Sequence, residues 1–358
     1  MKNLRAMTLK ELQGLVKGLG EKPYRAIQIY KWLWQKGSDD IESFSDLPKR
    51  FRIELAQYFE AKGLLEKERL YSEDGSVKFI FGLHDGLEVE SVYIPDRNRK
   101  TVCVSTQVGC PIGCEICATG KLLRYRRNLK FWEIAEQVLR IGKALGVRIT
   151  NVVYMGMGEP FLNYDEVIKS IELINNDHTL KIGARKITVS TVGIIPKIYE
   201  LAEYPRQVKL AISLHTAIQS KREQIIPIAR RFPLDELREA VGAYYRSKRR
   251  FVTFEYVLIP GFNDTDEDIE ALRKFIGNLP SKVNIIPFNP FPGTEFRAPT
   301  DREIYRFYEK MMLLPYTITL RKSKGRDVKA ACGQLALLRQ SNPHKIELHL
   351  SDNRHELR

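Results

Sequence analysis

From residue 101 onward the sequence alternates short, β-branched apolar runs with longer amphipathic stretches, and this alternation leaves few folds open to the chain. The runs are TVCVST (101–106), TNVVYMG (150–156), KITVST (186–191), VKLAISL (208–214), VTFEYVLI (252–259), KVNIIPF (282–288) and YTITL (316–320). Each has strand length and is rich in residues that suit a pleated, buried surface. Strands separated by helices do not pair as hairpins, because a crossover of helical length brings the chain back parallel to the strand before it. The pattern predicts an α/β fold: a parallel sheet with helices outside it, curled into a full or partial (βα) barrel.

The first hundred residues lack this alternation. Apolar positions recur at helical spacing in LKELQGLVKGLG (9–20) and YRAIQIYKWLWQKG (24–37), and SFSDLPKRFRIELAQYF (43–59) opens with capping residues. Residues 1–70 therefore read as a small N-terminal helical accessory domain. SVKFIFGL (76–83) and LEVESVYIP (87–95) alternate, so 71–100 reads as a β-hairpin or extension leading into a core over 101–335. Residues 336–358 form a basic tail. The longest apolar runs are far too short to cross a bilayer, and the charged opening MKNLRAMTLKELQGL has no apolar signal core. The expected location is the cytoplasm. Five cysteines, an odd number with three of them clustered, fit that reducing compartment better than a disulfide framework.

The clustered cysteines, Cys110, Cys114 and Cys117, carry the strongest chemical signal. GCPIGCEICATG (109–120) spaces them Cys-x3-Cys-x2-Cys and offers no local fourth ligand. A closed structural metal site takes four protein ligands. Three thiolates on a four-iron cluster leave one iron open to a chelating ligand. The spacing is that of radical S-adenosylmethionine (SAM) enzymes, in which the amine and carboxylate of SAM occupy the open iron. Ile116 stands where many of them carry an aromatic residue. The same cysteines also admit a zinc site completed by Cys103 or by a histidine.

Unusual residues gather at the C-terminal ends of the strands. MGMGEP (155–160) follows one strand, Ser190 and Thr191 end the next, Ser213-Leu214-His215 ends another, and Pro287-Phe288-Asn289-Pro290-Phe291 ends a fourth. That is the face where barrels place their chemistry. Gly156 and Gly158 suit either close backbone approach to a ligand or a turn with positive φ, and Glu159 can accept hydrogen bonds from an ammonium. Beside an open iron, that turn reads as the place of the SAM amino group. Ser190, Ser213 and Asn289 are candidates for the ribose and carboxylate, whereas His215 has no chemical role on this reading. Cys332, in the small-residue stretch AACGQL after a basic loop, is a candidate nucleophile.

The chain has 58 basic and 44 acidic residues, a net charge of +14, which suits a protein that handles a polyanion, with nucleic acid the default partner. A basic, solvated surface would give the same number. Three runs concentrate the charge beside aromatic or apolar residues: KLLRYRRNLK (121–130), YYRSKRR (244–250) and RKSKGR (321–326).

Together, CVSTQVGCPIGCEICATG, NVVYMGMGEP, KITVST, AISLH, NPFPG and DVKAACGQL resemble the radical SAM adenine-C2 methyltransferases of 23S rRNA and tRNA, the RlmN family. The resemblance runs from the N-terminal helices to about residue 335. It implies a barrel of the radical SAM type, a [4Fe-4S] cluster on Cys110, Cys114 and Cys117, and SAM contacts at Gly158, Glu159, Ser190, Ser213, Leu214, His215 and Asn289. It implies that Cys332 becomes an S-methylcysteine, that Cys103 is its transient disulfide partner, and that Glu90 accepts a proton. Two SAM molecules would be used per turnover. The partners implied are 23S rRNA, tRNA and a flavodoxin- or ferredoxin-type electron donor, with no membrane and a monomeric enzyme, and the helical N-terminal domain becomes a candidate RNA contact. The chemistry explains the need for a cysteine relay, since C2 of adenine is an electron-poor amidine carbon that cannot displace the methyl of SAM, whereas a thiolate can. A sister family that methylates adenine C8 uses the same residues, and a non-catalytic zinc-bearing RNA-binding module remains a further alternative.

Overall fold

The computed structural model describes residues 1–321 and 323–336. Ten strands form one sheet whose spatial order is their order in the chain. They are β1 (Leu65–Tyr71), β2 (Val77–Gly82), β3 (Glu88–Asp96), β4 (Arg99–Cys103), β5 (Asn151–Tyr154), β6 (Ile187–Thr191), β7 (Lys209–Ser213), β8 (Val252–Leu258), β9 (Ser281–Pro287) and β10 (Thr317–Leu320). The first four pair antiparallel. From β4 to β10 every pairing is parallel. A helix lies in each parallel crossover: α4 (Phe131–Ala144), α5 (Tyr164–Asn175), α6 (Ile195–Glu203), α7 (Leu234–Lys248), α8 (Asp266–Ile276) and α9 (Asp301–Met311). All seven strand runs read from the sequence are strands; five are shortened, and those at 101–106 and 282–288 begin earlier, at Arg99 and Ser281, and end earlier, at Cys103 and Pro287.

Strand register separates two chemistries. One row reads Val102, Val152 and Ile187, and another reads Ile212, Phe254, Val283 and Ile318. This is the helix-facing side: Phe254 packs edge-on against Phe275 of α8, and Tyr256 stacks on Phe307 of α9. The opposite face is polar, with Ser213, Glu255, Asn284 and Thr319 directly opposite one another on neighbouring strands. Asn284 donates to Glu255 at 3.0 Å, and Thr319 donates to Asn284. Flat strands would spread β5 to β10 over about 24 Å. Residues of β5 to β9, and Arg321 just past the end of β10, nevertheless line a single cavity, so the sheet curls around it as a partial barrel.

The N-terminal segment holds α1 (Leu9–Gly18), α2 (Tyr24–Trp34) and α3 (Lys49–Tyr58). Thr8 caps α1 with a reciprocal capping box to Glu11. The segment closes with Lys2–Asn3 pairing parallel to Phe59–Glu60, a contact that the helical reading did not contain. A buried ion pair docks it on the barrel, with the Arg5 guanidinium 2.5 Å from Glu136 of α4 and neither side chain exposed.

The helical reading of residues 1–70 needs one correction, since Leu65–Tyr71 is a strand. LEKERLY is rich in helix formers, but pairing with β2 overrides that weak local preference. The basic tail expected over 336–358 lies outside the described residues beyond Ala336.

Candidate active site

The cysteine loop follows β4 and is closed by a two-residue ladder, Gln107–Val108 against Arg127–Asn128. Gly109 has φ +74°, and a Cβ there would sit 2.3 Å from the Arg124 carbonyl oxygen, so only glycine fits. Cys117 donates its backbone N–H to the Cys114 carbonyl, and Glu115 donates to that of Ile225. These bonds hold the three half-buried thiols along one wall of the cavity. Burial pushes Cys110 up to about 12 and Cys114 well above the usual thiol range, and each neighbouring sulfur adds to the effect. Three thiols so placed ionise together only when a cation shares their charge.

Cys103 does not complete this set. Its burial, and then the charge of Cys332, raise it to about 12. Its side chain does not reach the cavity wall that Cys110, Cys114 and Cys117 share, so the zinc reading loses Cys103 as its proposed fourth ligand. Among the described residues no three Cys, His, Asp or Glu side chains converge to clasp a single metal ion.

The MGMGEP turn tucks under the end of β4. Gly158 has φ +98°, and a Cβ there would lie 2.6 Å from Gln107 Cβ. The glycine thus serves both an unusual backbone conformation and a tight approach to the strand. It delivers Glu159, which is almost fully buried and accepts N–H groups from Phe161 and Val192, both at 2.9 Å. Burial raises its carboxyl to about 7 despite those two donors. A cationic ligand beside Glu159 would favour its charged form.

Ser190 and Ser213 bring their hydroxyls within 3.2 Å across β6 and β7. Asn289 donates to the Cys332 carbonyl at 3.4 Å, and its buried Oδ1 has no hydrogen-bond partner among the described residues. His215 has φ +62°, and its Nδ1 accepts the Val257 N–H. Burial, and then Arg222, push it down to about 3, so it is a neutral acceptor. The side chain of Leu214 does not reach the cavity wall, whereas Ser213 and His215 do. Glu90 and Cys103 also lie off that wall, sharing one face of the antiparallel strands.

Sequence reasoning missed three charged residues. Arg222 is fully buried, donates to the Val192 and Ser213 carbonyls, and leaves Nε and Nη1 without partners among the described residues. Burial lowers it to about 10, with the nearby Cys114 opposing. Nothing in QSKREQI distinguishes it from an ordinary helix charge. Glu255 lines the cavity with one carboxylate oxygen unpaired among the described residues, and its alternation with apolar neighbours in VTFEYVLI was the available signal. Arg321 was read as part of an RNA-facing basic run. Instead it lines the cavity wall, where Cys332, then Glu255 and Cys103, raise its pKa.

The basic runs differ in use. Arg124, Tyr125 and Arg126 are exposed at the base of the cysteine loop, just before the ladder at Arg127–Asn128 closes it. In the 244–250 run, Tyr244 and Lys248 are buried and donate to the backbone carbonyls of Val208 and Tyr204, before β8 begins and away from the cavity.

Comparison with known proteins agrees with this geometry. Residues 104–276 match the model of the radical SAM superfamily, and residues 2–61 match a ribosomal RNA large subunit methyltransferase N-terminal domain. The dual-specificity RNA methyltransferase RlmN of Anaeromyxobacter dehalogenans is 41% identical, over 93% of this chain and 91% of that protein. The one from Geobacter sulfurreducens is 40% identical, over 94% and 92%. This chain belongs to the RlmN family of radical SAM RNA methyltransferases. A crystal structure of a radical SAM methyltransferase from Sphaerobacter thermophilus superposes with a TM-score of 0.89 at 40% identity, covering 94% of this chain and 99% of that one. Membership in the RlmN family excludes the non-catalytic zinc module.

The radical SAM family implies a [4Fe-4S] cluster and SAM, and the residues present fit both. Three thiols share one wall with no fourth protein ligand beside them among the described residues, and Glu159 offers a carboxylate to an ammonium. Arg222 and Asn289 hold unused hydrogen-bonding atoms at the same end of the barrel. Among the described residues no helix is long and apolar enough to cross a membrane.

Proposed function

We propose that this enzyme methylates C2 of an adenosine in 23S rRNA and in tRNA, using Cys332 as a one-carbon carrier. The observation that supports this most directly is that Cys332 lines the same cavity as the three cluster cysteines, near enough to Cys103 and Cys117 for its charge to raise both thiols. When bound, the cluster would supply an electron, and SAM a methyl group and a hydrogen-abstracting carbon radical.

The chain's own residues take the following roles. Cys110, Cys114 and Cys117 hold the cluster. Glu159 and the Gly158 backbone receive the amino group of SAM, while Ser190, Ser213, His215 and Asn289 hold its ribose and carboxylate. Arg222 provides positive charge for the anionic ligands beside Cys114. Cys332 accepts a methyl group at sulfur and presents the carbon to adenine C2. Glu90 takes the C2 proton. The Cys103 thiolate then attacks the Cys332 sulfur, the carbon–sulfur bond breaks with its electrons on carbon, and that methylene takes a solvent-derived proton, which frees the methylated base and leaves a disulfide for an outside reductant. One SAM loads the cysteine and a second initiates the transfer, so two are used per turnover. A flavodoxin- or ferredoxin-type protein supplies the electrons, and the enzyme works as a cytoplasmic monomer. The target base must leave its stack, at a cost of about a few kcal/mol. The N-terminal helices and the exposed Arg124–Arg126 segment hold RNA in a form that allows this.

The test uses reconstituted enzyme, reductant, rRNA and tRNA transcripts, and SAM with a fully deuterated methyl. After unlabelled methyl on the protein is consumed, 2-methyladenosine lacking one methyl deuterium is expected by nucleoside mass spectrometry. The same pattern at C8 would assign the activity to the sister reaction, and a methyl retaining all its deuterium would overturn the cysteine relay.

A further inference from the structure

Lys78 lies on β2 with almost no exposed surface, and its Nζ is 3.0 Å from a carboxylate oxygen of Glu90, itself fully buried on β3. Lys78 stands opposite Val92, which in turn stands opposite Cys103, and Glu90 stands opposite Ile80. Lys78, Glu90 and Cys103 therefore share one face of the antiparallel strands. The same Nζ reaches the carbonyl oxygen of Lys329 at 3.5 Å, three residues before Cys332. One ammonium thus touches both the carboxylate and the loop that carries the thiol.

Stability does not account for such a pair. Burying two charges costs several kcal/mol per ion, and well-packed apolar replacements are often neutral or better. The position of the pair accounts for it. We propose that Lys78 is a positioning residue for the proton-transfer step: it keeps Glu90 ionised and aimed, and it holds the Cys332 loop in register with that carboxylate. This rests on the reading of Glu90 as the proton acceptor. In the step, the C2–H bond breaks, the proton passes to a Glu90 oxygen, and the bonding electrons remain with the purine ring. Lys78 gives up no proton and continues to donate a hydrogen bond to the neutral acid. Among the described residues, the titratable and charged groups about this face include Lys78 and Cys103, with Cys332 and Arg321 near Cys103. Ser105 and Met157, which meet the Glu90 backbone, are neutral.

The test is Lys78→Met in the reconstituted enzyme with a tRNA transcript. A buried carboxylate that loses its adjacent ammonium holds its proton more tightly. Methylation of Cys332 should proceed as in the wild type, by peptide mass spectrometry. Formation of 2-methyladenosine at neutral pH should fall about tenfold or more, and its pH profile should move up by about one unit or more. Lys78→Arg should restore the wild-type pH dependence. In cofactor-free protein, infrared spectroscopy should show a protonated-carboxyl band at neutral pH in Lys78→Met that vanishes in the Lys78→Met/Glu90→Gln double variant. Should Lys78→Met not fold, Lys78→Gln makes the same test, keeping a donor without the charge. A wild-type pH profile with no new carboxyl band would overturn the role of Lys78 while leaving Glu90 in place. Undiminished product from Glu90→Gln would instead overturn Glu90 as the acceptor, and the role of Lys78 with it.

Discussion

The loop that carries Cys332 is latched to the antiparallel extension, and opening that latch should expose the thiol. Ser72 Oγ–H donates to Asp327 at 2.6 Å and the Glu73 N–H donates to its other oxygen at 3.1 Å. The Gly325 N–H donates to Asp74 at 2.7 Å. On the far side, the Ala118 N–H donates to the Gly333 carbonyl, and Thr119 Oγ1 donates to that of Leu335. The loop is thus clamped between the turn before β2 and the cysteine loop. The perturbation is the double variant Asp74→Ala/Asp327→Ala, which removes one clamp and leaves the other. Hydrogen bonds to charged groups contribute about 1.5–3 kcal/mol when well buried. Both carboxylates are largely solvated, so about 1 kcal/mol each is the reasonable figure after screening. A total of about 2 kcal/mol raises the open population about thirtyfold.

The assay is alkylation of Cys332 in the cluster-loaded protein, followed by peptide mass spectrometry, with rates read while opening remains fast. A rise of about tenfold or more is expected, and a rate within about twofold of wild type would refute the latch. The latch should also respond to acid in a defined direction. Ser72, against burial, holds Asp327 below the usual carboxylate range. Asp74 is likewise lowered, because hydrogen bonds from Ser76 and Gly325 outweigh its burial. Groups lowered in the folded state contribute stability that is present at neutral pH and lost as pH falls through their folded values. Wild-type Cys332 should therefore become more reactive, relative to a free thiol at the same pH, only below about pH 4.

Three further outcomes are expected. Glu136→Leu strands the buried Arg5 guanidinium, which keeps backbone carbonyls, the Trp34 ring and Asp39, and should cost about 3 kcal/mol in urea unfolding; a double-mutant cycle with Arg5→Met should recover most of it, and a single-variant cost below about 1 kcal/mol would refute the pair as the domain's anchor. Cys332→Ala should abolish methylation with the iron–sulfur spectrum intact, and Cys103→Ala should trap a covalent RNA–protein adduct; loss of the cluster in the first, or a slower enzyme without adduct in the second, contradicts the assigned roles. Arg222→Met should fold, because it removes a buried charge with two unused nitrogens, yet bind SAM about tenfold more weakly or worse; unchanged affinity by calorimetry would show that the guanidinium does not face the cofactor.

The barrel was legible because its signal repeats: seven β-branched runs with helices between them specify parallel pairing whatever each helix contributes. Leu65–Tyr71 was not, because a polar edge strand of helix formers declares itself only through its partner. The site divides along the same line. The strand-end motifs that supply Glu159, Ser190, Ser213 and Asn289 are local, and the curl of the sheet brings them to one cavity. Arg222 and Arg321 are defined by what surrounds them, and sequence carries no record of burial for a charge among other charges. Lys78 shows the point most sharply. In SVKFIFGL it looks like the solvent-facing member of an alternating strand, and its neighbours Val77 and Phe79 are indeed buried as that pattern requires. Both faces of β2 turn out to be covered, one by the core and the other by the Cys332 loop, which arrives from the far end of the chain. A lysine placed there needs an anion, and Glu90 on the next strand provides it. The alternation that gave the strand therefore concealed the site, because alternation reports which residues share a face and not whether that face meets water.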